Sequence, residues 1–213
     1  MSKKSVLDSI SKYHFGKAWL AGFILAIFVG SFFFSDTFEW TNQDKLENEV
    51  STATTTTIVE GPILPKSTPT RLRIPKINID TDFVPPLDLE KSGEVAVPDS
   101  YTQVGWYKHS PTPGALGPAV ILGHVDSYTG PAIFFSLGQL QEGDDVFVER
   151  EDGTTAHFQV TALERPKQSE FPTARVYGNI NHAGLRLITC SGIFLHGEQR
   201  YTNNLIVYAK LVE

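Results

Sequence analysis

The chain has a single cysteine, Cys190, in 213 residues, so an internal disulfide is excluded. It also lacks a basic excess. Eighteen Lys and Arg stand against 24 Asp and Glu, for a net charge of −6 and a pI near 5.5. That balance argues against nucleic acid as a partner, because nucleic acid is drawn to basic patches. No Cys/His cluster has zinc spacing. His124 and Asp126 would supply two ligands without a third, so no metal or other cofactor is implied. The acidic group Asp144, Asp145, Glu149, Glu151 and Asp152 straddles a hairpin signal and reads as a solvated face rather than a calcium site. No internal repeat is present.

The N-terminus is organised differently from the rest. Residues 1–17 carry Lys3, Lys4, Lys12 and Lys17 against Asp8 alone. Residues 18–34 then run for 17 positions without a charge. As a helix this run spans ~26 Å, near the short limit for crossing a bilayer. Asp36 and Glu39 close its far side, and Trp19 and Trp40 flank it. The lysines predict a single-pass membrane anchor with a cytoplasmic N-terminus and an exported C-terminal domain. A cleaved signal peptide fits less well, because no A-x-A site follows and the run is long for that role. Residues 35–69 change composition again, to Asn-Gln-Asp-Lys, a threonine run and scattered prolines. Nothing there repeats with a helix or strand period, which predicts a flexible to semi-extended stalk.

From residue 70 to 213 the pattern is that of a mainly β domain. Leu72, Ile74, Ile77, Ile79 and Phe83 alternate around Pro75. Val95–Val97 and Val104–Tyr107 are short strand signals, and Ala119–His124 is a continuous apolar run expected at the centre of a sheet. Pro131–Leu140 suits one helical turn. Asp152-Gly153 marks a hairpin between Val146–Arg150 and Ala156–Leu163. A long connection, Arg165–Ala183, holds a short element at Val176-Tyr177. Leu185–Cys190 and Tyr201–Val212 complete seven or eight strands, and the expected fold is an all-β closed barrel with one or two short helices.

Cys190 ends one buried run, His124 ends another, and Arg200 stands where a third begins. Thiol acyl transfer needs groups of these three kinds. A thiolate is the nucleophile, and an ordinary thiol titrates near 8.5, so a partner must help at neutral pH. Imidazole holds or delivers a proton there. A guanidinium is always charged and presents a fork of donors to an oxyanion. Each residue has a plainer reading as well. Cys190 could be a small buried hydrophobe, and Arg200 an exposed strand-edge cation. Thr189 could hydrogen-bond substrate or Arg200, or merely fill a strand. Asp126 could orient the His124 ring or cap the turn, and the turn role is preferred. Arg186, inside the strand, is expected to pair with an acidic neighbour.

These residues resemble the sortases, the cysteine transpeptidases of the bacterial cell surface. Leu187-Ile188-Thr189-Cys190 is similar to the end of that family's Thr-Leu-x-Thr-Cys segment, and Gly123-His124 and Arg200 follow its His, Cys, Arg order. The likeness spans about Thr70–Glu213. Finer features resemble class F: Val-Gly-Trp-Tyr at 104–107, Gly-His-Val-Asp-Ser at 123–127, Leu-Arg-Leu-Ile-Thr-Cys at 185–190 and the closing Asn204-Leu-Ile-Val-Tyr-Ala. Arg186 replaces the family's usual first threonine, and Ala115 stands where many relatives carry an acidic residue.

The resemblance implies an eight-stranded β-barrel and cleavage of an LPxTG-like sorting signal between Thr and Gly. It implies Cys190 as nucleophile, His124 as acid/base and Arg200 as the group that stabilises the oxyanion or holds the peptide. The thioester would pass to an amine of a cell-wall precursor or a pilin. Partners would be surface proteins bearing such signals, and the bilayer through residues 18–34. The segments Arg165–Ala183 and Ser191–Gln199 would border the peptide groove. Two other readings use the same residues: a cysteine hydrolase with water as acceptor, and a non-catalytic surface module that binds peptide.

Overall fold

The computed structural model describes residues 58–213. The expected anchor, residues 18–34, and most of the expected stalk lie outside them. Among the described residues no helix is long and apolar enough to cross a membrane.

Among the described residues there are ten strands: β1 (Pro69–Ile74), β2 (Ile79–Asp82), β3 (Gly105–Trp106), β4 (Gly117–Leu122), β5 (Asp126–Ser127), β6 (Gly130–Pro131), β7 (Asp145–Arg150), β8 (Thr155–Glu164), β9 (Ala183–Leu195) and β10 (Arg200–Leu211). One short α-helix, α1 (Thr173–Tyr177), precedes β9. Three-residue 3₁₀ turns fill Pro75–Ile77, Leu137–Gln139 and Gln168–Glu170. Eight strands form one sheet in the order β2-β1-β7-β8-β10-β9-β4-β3, and β5 pairs with β6 alone. The sheet curls into a half-barrel. Its edges are joined beyond β2 by two isolated bridges, Phe83–Val104 and Leu87–Tyr107, rather than by the continuous ladder a closed barrel would need.

Local chemistry accounts for the hairpins. β1 turns into β2 through Pro75, whose fixed φ suits the first position of a 3₁₀ turn. Asn78 ends that turn in the left-handed region at φ 55° and donates its N–H to the Pro75 carbonyl at 3.1 Å. The Asp152-Gly153 signal makes the β7–β8 turn, with Gly153 at φ 80°. β1 and β7 show the alternation of a half-buried strand, with Leu72, Ile74, Val146 and Val148 fully inside.

β4, β9 and β10 are buried on both faces over their central residues. β4 runs parallel to β9, with Val120 against Arg186 and Leu122 against Ile188. β10 runs antiparallel to β9, with Tyr208 against Arg186, Ile206 against Ile188 and Asn204 against Cys190. Successive side chains on a strand point to opposite faces. Ala119, Ile121, Leu185, Leu187, Leu205 and Val207 therefore enter the main core, together with Phe134, Phe158 and Leu211. Val120, Ile188, Ile206 and Tyr208 form a second cluster on the other face, capped by Val176 of α1.

The structure differs from expectation in three elements. Val95–Val97 is not a strand; Val95 makes only a single bridge, to Leu89. The strand expected to stop at Cys190 runs on to Leu195, because Gly192 takes φ 82° and lets it bend. A Cβ built there would lie 2.4 Å from Thr202 Oγ1, so only glycine permits this close crossing. Lastly, the final residues assigned to the stalk lie along the domain. The Glu60 N–H donates to the Asn181 carbonyl, and that of Leu64 to the Gly114 carbonyl, each at 2.7 Å.

Candidate active site

Cys190 sits on the outer face of β9, half-buried, two residues beyond Ile188. His124 follows β4. The last β4–β9 pair is Leu122 with Ile188, and the Gly123 N–H donates to the Ile188 carbonyl at 3.2 Å. Two steps past that pair lie His124 on one strand path and Cys190 on the other. Parallel neighbours are separated by about 4.8 Å, so the register brings these two predicted residues to the same level on adjacent chains.

The imidazole is held by groups no sequence pattern identified. Its Nε2–H donates to the Pro98 carbonyl at 2.7 Å. A carbonyl only accepts, so Nε2 carries the proton and Nδ1 is left to accept one or, in the charged ring, to donate. Tyr101 packs on the ring at 4.7 Å between centroids, tilted by 44°. The Tyr101 carbonyl in turn accepts from the Ile133 N–H at 2.9 Å, and the His124 carbonyl accepts from the Phe134 N–H at 2.9 Å. Pro98 and Tyr101 both lie on the irregular path between β2 and β3.

Asp126 does not serve the turn in which it stands. Ser127 closes that turn, donating from Oγ to the Gly130 carbonyl at 3.1 Å. The Asp126 carboxylate instead accepts a hydrogen bond from the Tyr201 hydroxyl of β10. Burial, this hydrogen bond and the carboxylate charge push the Tyr201 phenol up to about 12. Burial raises the Cys190 thiol above its ordinary value, and the Asp126 charge adds to the effect. Both effects favour the neutral thiol, so a proton acceptor is needed to make it a nucleophile.

Arg200 is placed elsewhere. It pairs with Leu195 at the far end of the β9–β10 hairpin, four residues along β10 from Asn204, the partner of Cys190. At roughly 3.4 Å per residue that is about 13 Å of strand. Its guanidinium is exposed and ion-paired with Glu198 at 2.6 Å. The expected gathering of thiol, imidazole and guanidinium at one rim thus reduces to His124 and Cys190 at one level of neighbouring strand paths, with Arg200 apart from both. Thr189 points to the opposite face from Cys190, is 4% exposed, and has an Oγ1 without a hydrogen-bond partner among the described residues. That placement fits the strand-filling reading and puts it out of reach of substrate on the Cys190 face. Arg186 finds no acidic partner among the described residues. It lies over the Tyr208 ring at 4.7 Å, and Glu164 is occupied by the Tyr208 hydroxyl at 2.8 Å and by Arg175 at 3.1 Å.

Cys190 opens onto a groove of about 1710 Å³ on this outer face. Leu122, Ile188, Cys190 and Asn204 contribute from the sheet, and Tyr107, Phe171 and Tyr177 from the flank bearing α1. Leu64 to Lys66, and parts of the stretches 89–97 and 108–118, add to its border. Such a groove, apolar with a thiol and an amide at one place, suits an extended peptide whose carbonyl carbon is presented to sulfur. Among the described residues no group of three or more His, Cys, Asp and Glu side chains could hold a metal ion.

Comparison with known proteins bears on the family and the fold. A sortase-domain family model matches residues 72–212. No curated protein matches in sequence. Sortase C-1 from Actinomyces oris superposes with a TM-score of 0.53 at 22% identity, over 68% of this chain and 71% of that one. Sortase A from Corynebacterium diphtheriae gives 0.52 at 19% identity, over 70% and 62%. A pilus-related sortase C of Group B Streptococcus gives 0.51 at 16% identity, over 71% and 70%. The structural likenesses show the fold. The family model covers well over half of the chain, and with it the chain belongs to the sortase family, as a cysteine transpeptidase.

Proposed function

We propose that this enzyme cleaves an LPxTG-like sorting signal between Thr and Gly, releases the carboxyl-side fragment that begins with Gly, and transfers the surface protein through its threonine carbonyl to a cell-wall or pilin amine. The observation that supports this reading is the β4–β9 register, in which Leu122 pairs with Ile188 two residues before His124 and Cys190, with Cys190 lining the groove. Cys190 is the sole cysteine, so it is the nucleophile. His124 takes the thiol proton, and sulfur attacks the threonine carbonyl carbon. The tetrahedral adduct collapses, the C–N bond breaks, and the imidazolium gives its proton to the leaving glycine amine. The acceptor amine then attacks the thioester, loses a proton to His124, and the thiolate departs. Arg200, out on the hairpin with Glu198, fits the peptide-holding role better than contact with the reacting carbonyl.

Class F features at 104–107, 123–127 and 185–190 support that subclass for this chain. Residues 18–34 would anchor the enzyme beside membrane-bound substrates, where tethering replaces affinity with effective concentration. The test uses the full chain in detergent with an LPxTG-type peptide and a glycine-based amine or a diamine, followed by mass spectrometry. A Cys190 thioester plus amine-bearing product is expected, and Cys190→Ala should abolish both. Hydrolysed product alone would favour the hydrolase reading. Peptide binding unchanged in Cys190→Ala, with no adduct in the unsubstituted chain, would favour the binding module.

A further inference from the structure

We infer that Asn204 is the side chain that donates to the oxyanion of the tetrahedral adduct between Cys190 and the substrate carbonyl, the role the family resemblance offered to Arg200. The inference rests on Cys190 being the nucleophile. Cys190 and Asn204 are direct partners across β9 and β10, so their side chains share the outer face. Both line the groove.

Backbone bonding sharpens their distance. The Asn204 N–H donates to the Pro166 carbonyl at 3.0 Å, on the side of β10 away from β9. In an antiparallel ladder the N–H and C=O of one residue point the same way. On the β9 side, the Ile188 carbonyl points to β4, where it accepts from Gly123. Cys190, two residues on, points its backbone the same way. Both residues therefore turn their backbone groups away from each other, and Cys190–Asn204 is a non-hydrogen-bonded pair. Such pairs have Cα atoms about 4.5 Å apart, with side chains at their closest.

The Asn204 amide is also free to act. Among the described residues its side chain has no hydrogen-bond partner, whereas Asn203 next to it is engaged with Arg165 and Thr202. Its chain position is fixed from behind by Pro166 and by the Lys167–Asn203 bridge. A preorganised neutral donor beside the sulfur meets the requirement for stabilising a negative charge that exists only during reaction. When sulfur bonds to the substrate carbonyl carbon, the carbonyl electrons move onto oxygen. The Asn204 Nδ2–H then donates to that oxygen until the C–N bond breaks and the carbonyl reforms. Arg200, about four residues away along the strand, cannot reach the same atom from its ion pair with Glu198.

The test compares two reactions of the same thiol in the full chain in detergent. Acylation by p-nitrophenyl acetate passes through a tetrahedral oxyanion and needs no sorting motif. Alkylation by iodoacetamide reports the thiol without one. Asn204→Leu, which keeps the volume and removes the donor, should slow acylation about 100-fold or more and leave alkylation within about threefold. Asn204→Ala is the second variant should Leu not fold, and Asn204→Gln should recover part of the rate. In peptide turnover Arg200→Ala should raise KM, whereas the Asn204 variants lower kcat. Acylation retained within threefold in Asn204→Leu or Asn204→Ala would overturn the inference. So would an equal fall in alkylation, since the effect would then lie in the thiol. Failure of the unsubstituted enzyme on the peptide alone would count against the sorting motif and leave the p-nitrophenyl acetate comparison decisive.

Discussion

The Cys190 thiol and the Asp126 carboxylate have opposed interests. Asp126 ties the His124-bearing turn to β10 through Tyr201, but its charge also works against ionisation of the sulfur. Asp126→Asn removes the charge while keeping an acceptor for the Tyr201 hydroxyl. The thiol pKa then falls, more thiolate exists at any fixed pH below it, and the midpoint of alkylation against pH moves down. Iodoacetamide alkylation at pH 7.5 should quicken severalfold; an unchanged profile would mean burial alone sets the thiol. On the other side of the site, Tyr101 holds the imidazole by its ring. Aromatic contacts of this kind are worth about 0.5–1.5 kcal/mol. Tyr101→Ala should therefore lower kcat/KM about fivefold, and Tyr101→Phe, which keeps the ring, should restore it. Failure of Phe to restore activity would assign the effect to the hydroxyl instead.

Among the elements, β4 and β9 were legible because burial on both faces writes a continuous apolar run, and the β7–β8 turn because Asp-Gly suits few other conformations. Cys190 and His124 could be singled out for the same reason: each interrupts an apolar run at its end. Asn204 stood in the closing motif of the resemblance without a chemical role, since a polar residue near a strand start has no assignable neighbour until the strand pairing is known. The clamp on His124 uses a proline carbonyl, which any residue would offer. The chain ahead of β1 was illegible for a further reason. It has no period, and its contacts are remote in sequence. Arg150 anchors it: the guanidinium is buried, donates to the Pro65 carbonyl and pairs with Asp152 at 3.0 Å. The Asp152 N–H also donates to Ser67 Oγ at 3.1 Å. Hydrogen bonds to a charged group contribute about 1.5–3 kcal/mol each. Arg150→Ala should cost about 2–3 kcal/mol in urea unfolding and expose the 60–68 segment to protease. An unchanged midpoint and cleavage pattern would show that the segment is held by its apolar residues alone.

Across the whole molecule, one sheet separates stability from recognition. Its inner face carries the larger core, with Leu187 fully buried between Ile121 of β4 and Val207 of β10. Its outer face carries Ile188, one residue later, which joins the smaller cluster and also lines the groove. The strand alternation therefore gives adjacent residues different duties. Leu187→Ala leaves a cavity in the packed interior and should cost about 2–5 kcal/mol. It removes nothing a peptide touches, so KM of the folded enzyme should stay within twofold. Ile188→Ala thins a face already open on one side, where neighbours and solvent can adjust. Its stability cost should fall at the lower end of that range, about 2 kcal/mol, while KM for the sorting peptide rises severalfold. Urea midpoints and peptide kinetics on the two variants separate these effects. If both variants moved stability and KM together, the two faces would be mechanically coupled, and the groove would depend on the core for its shape rather than on the residues that line it.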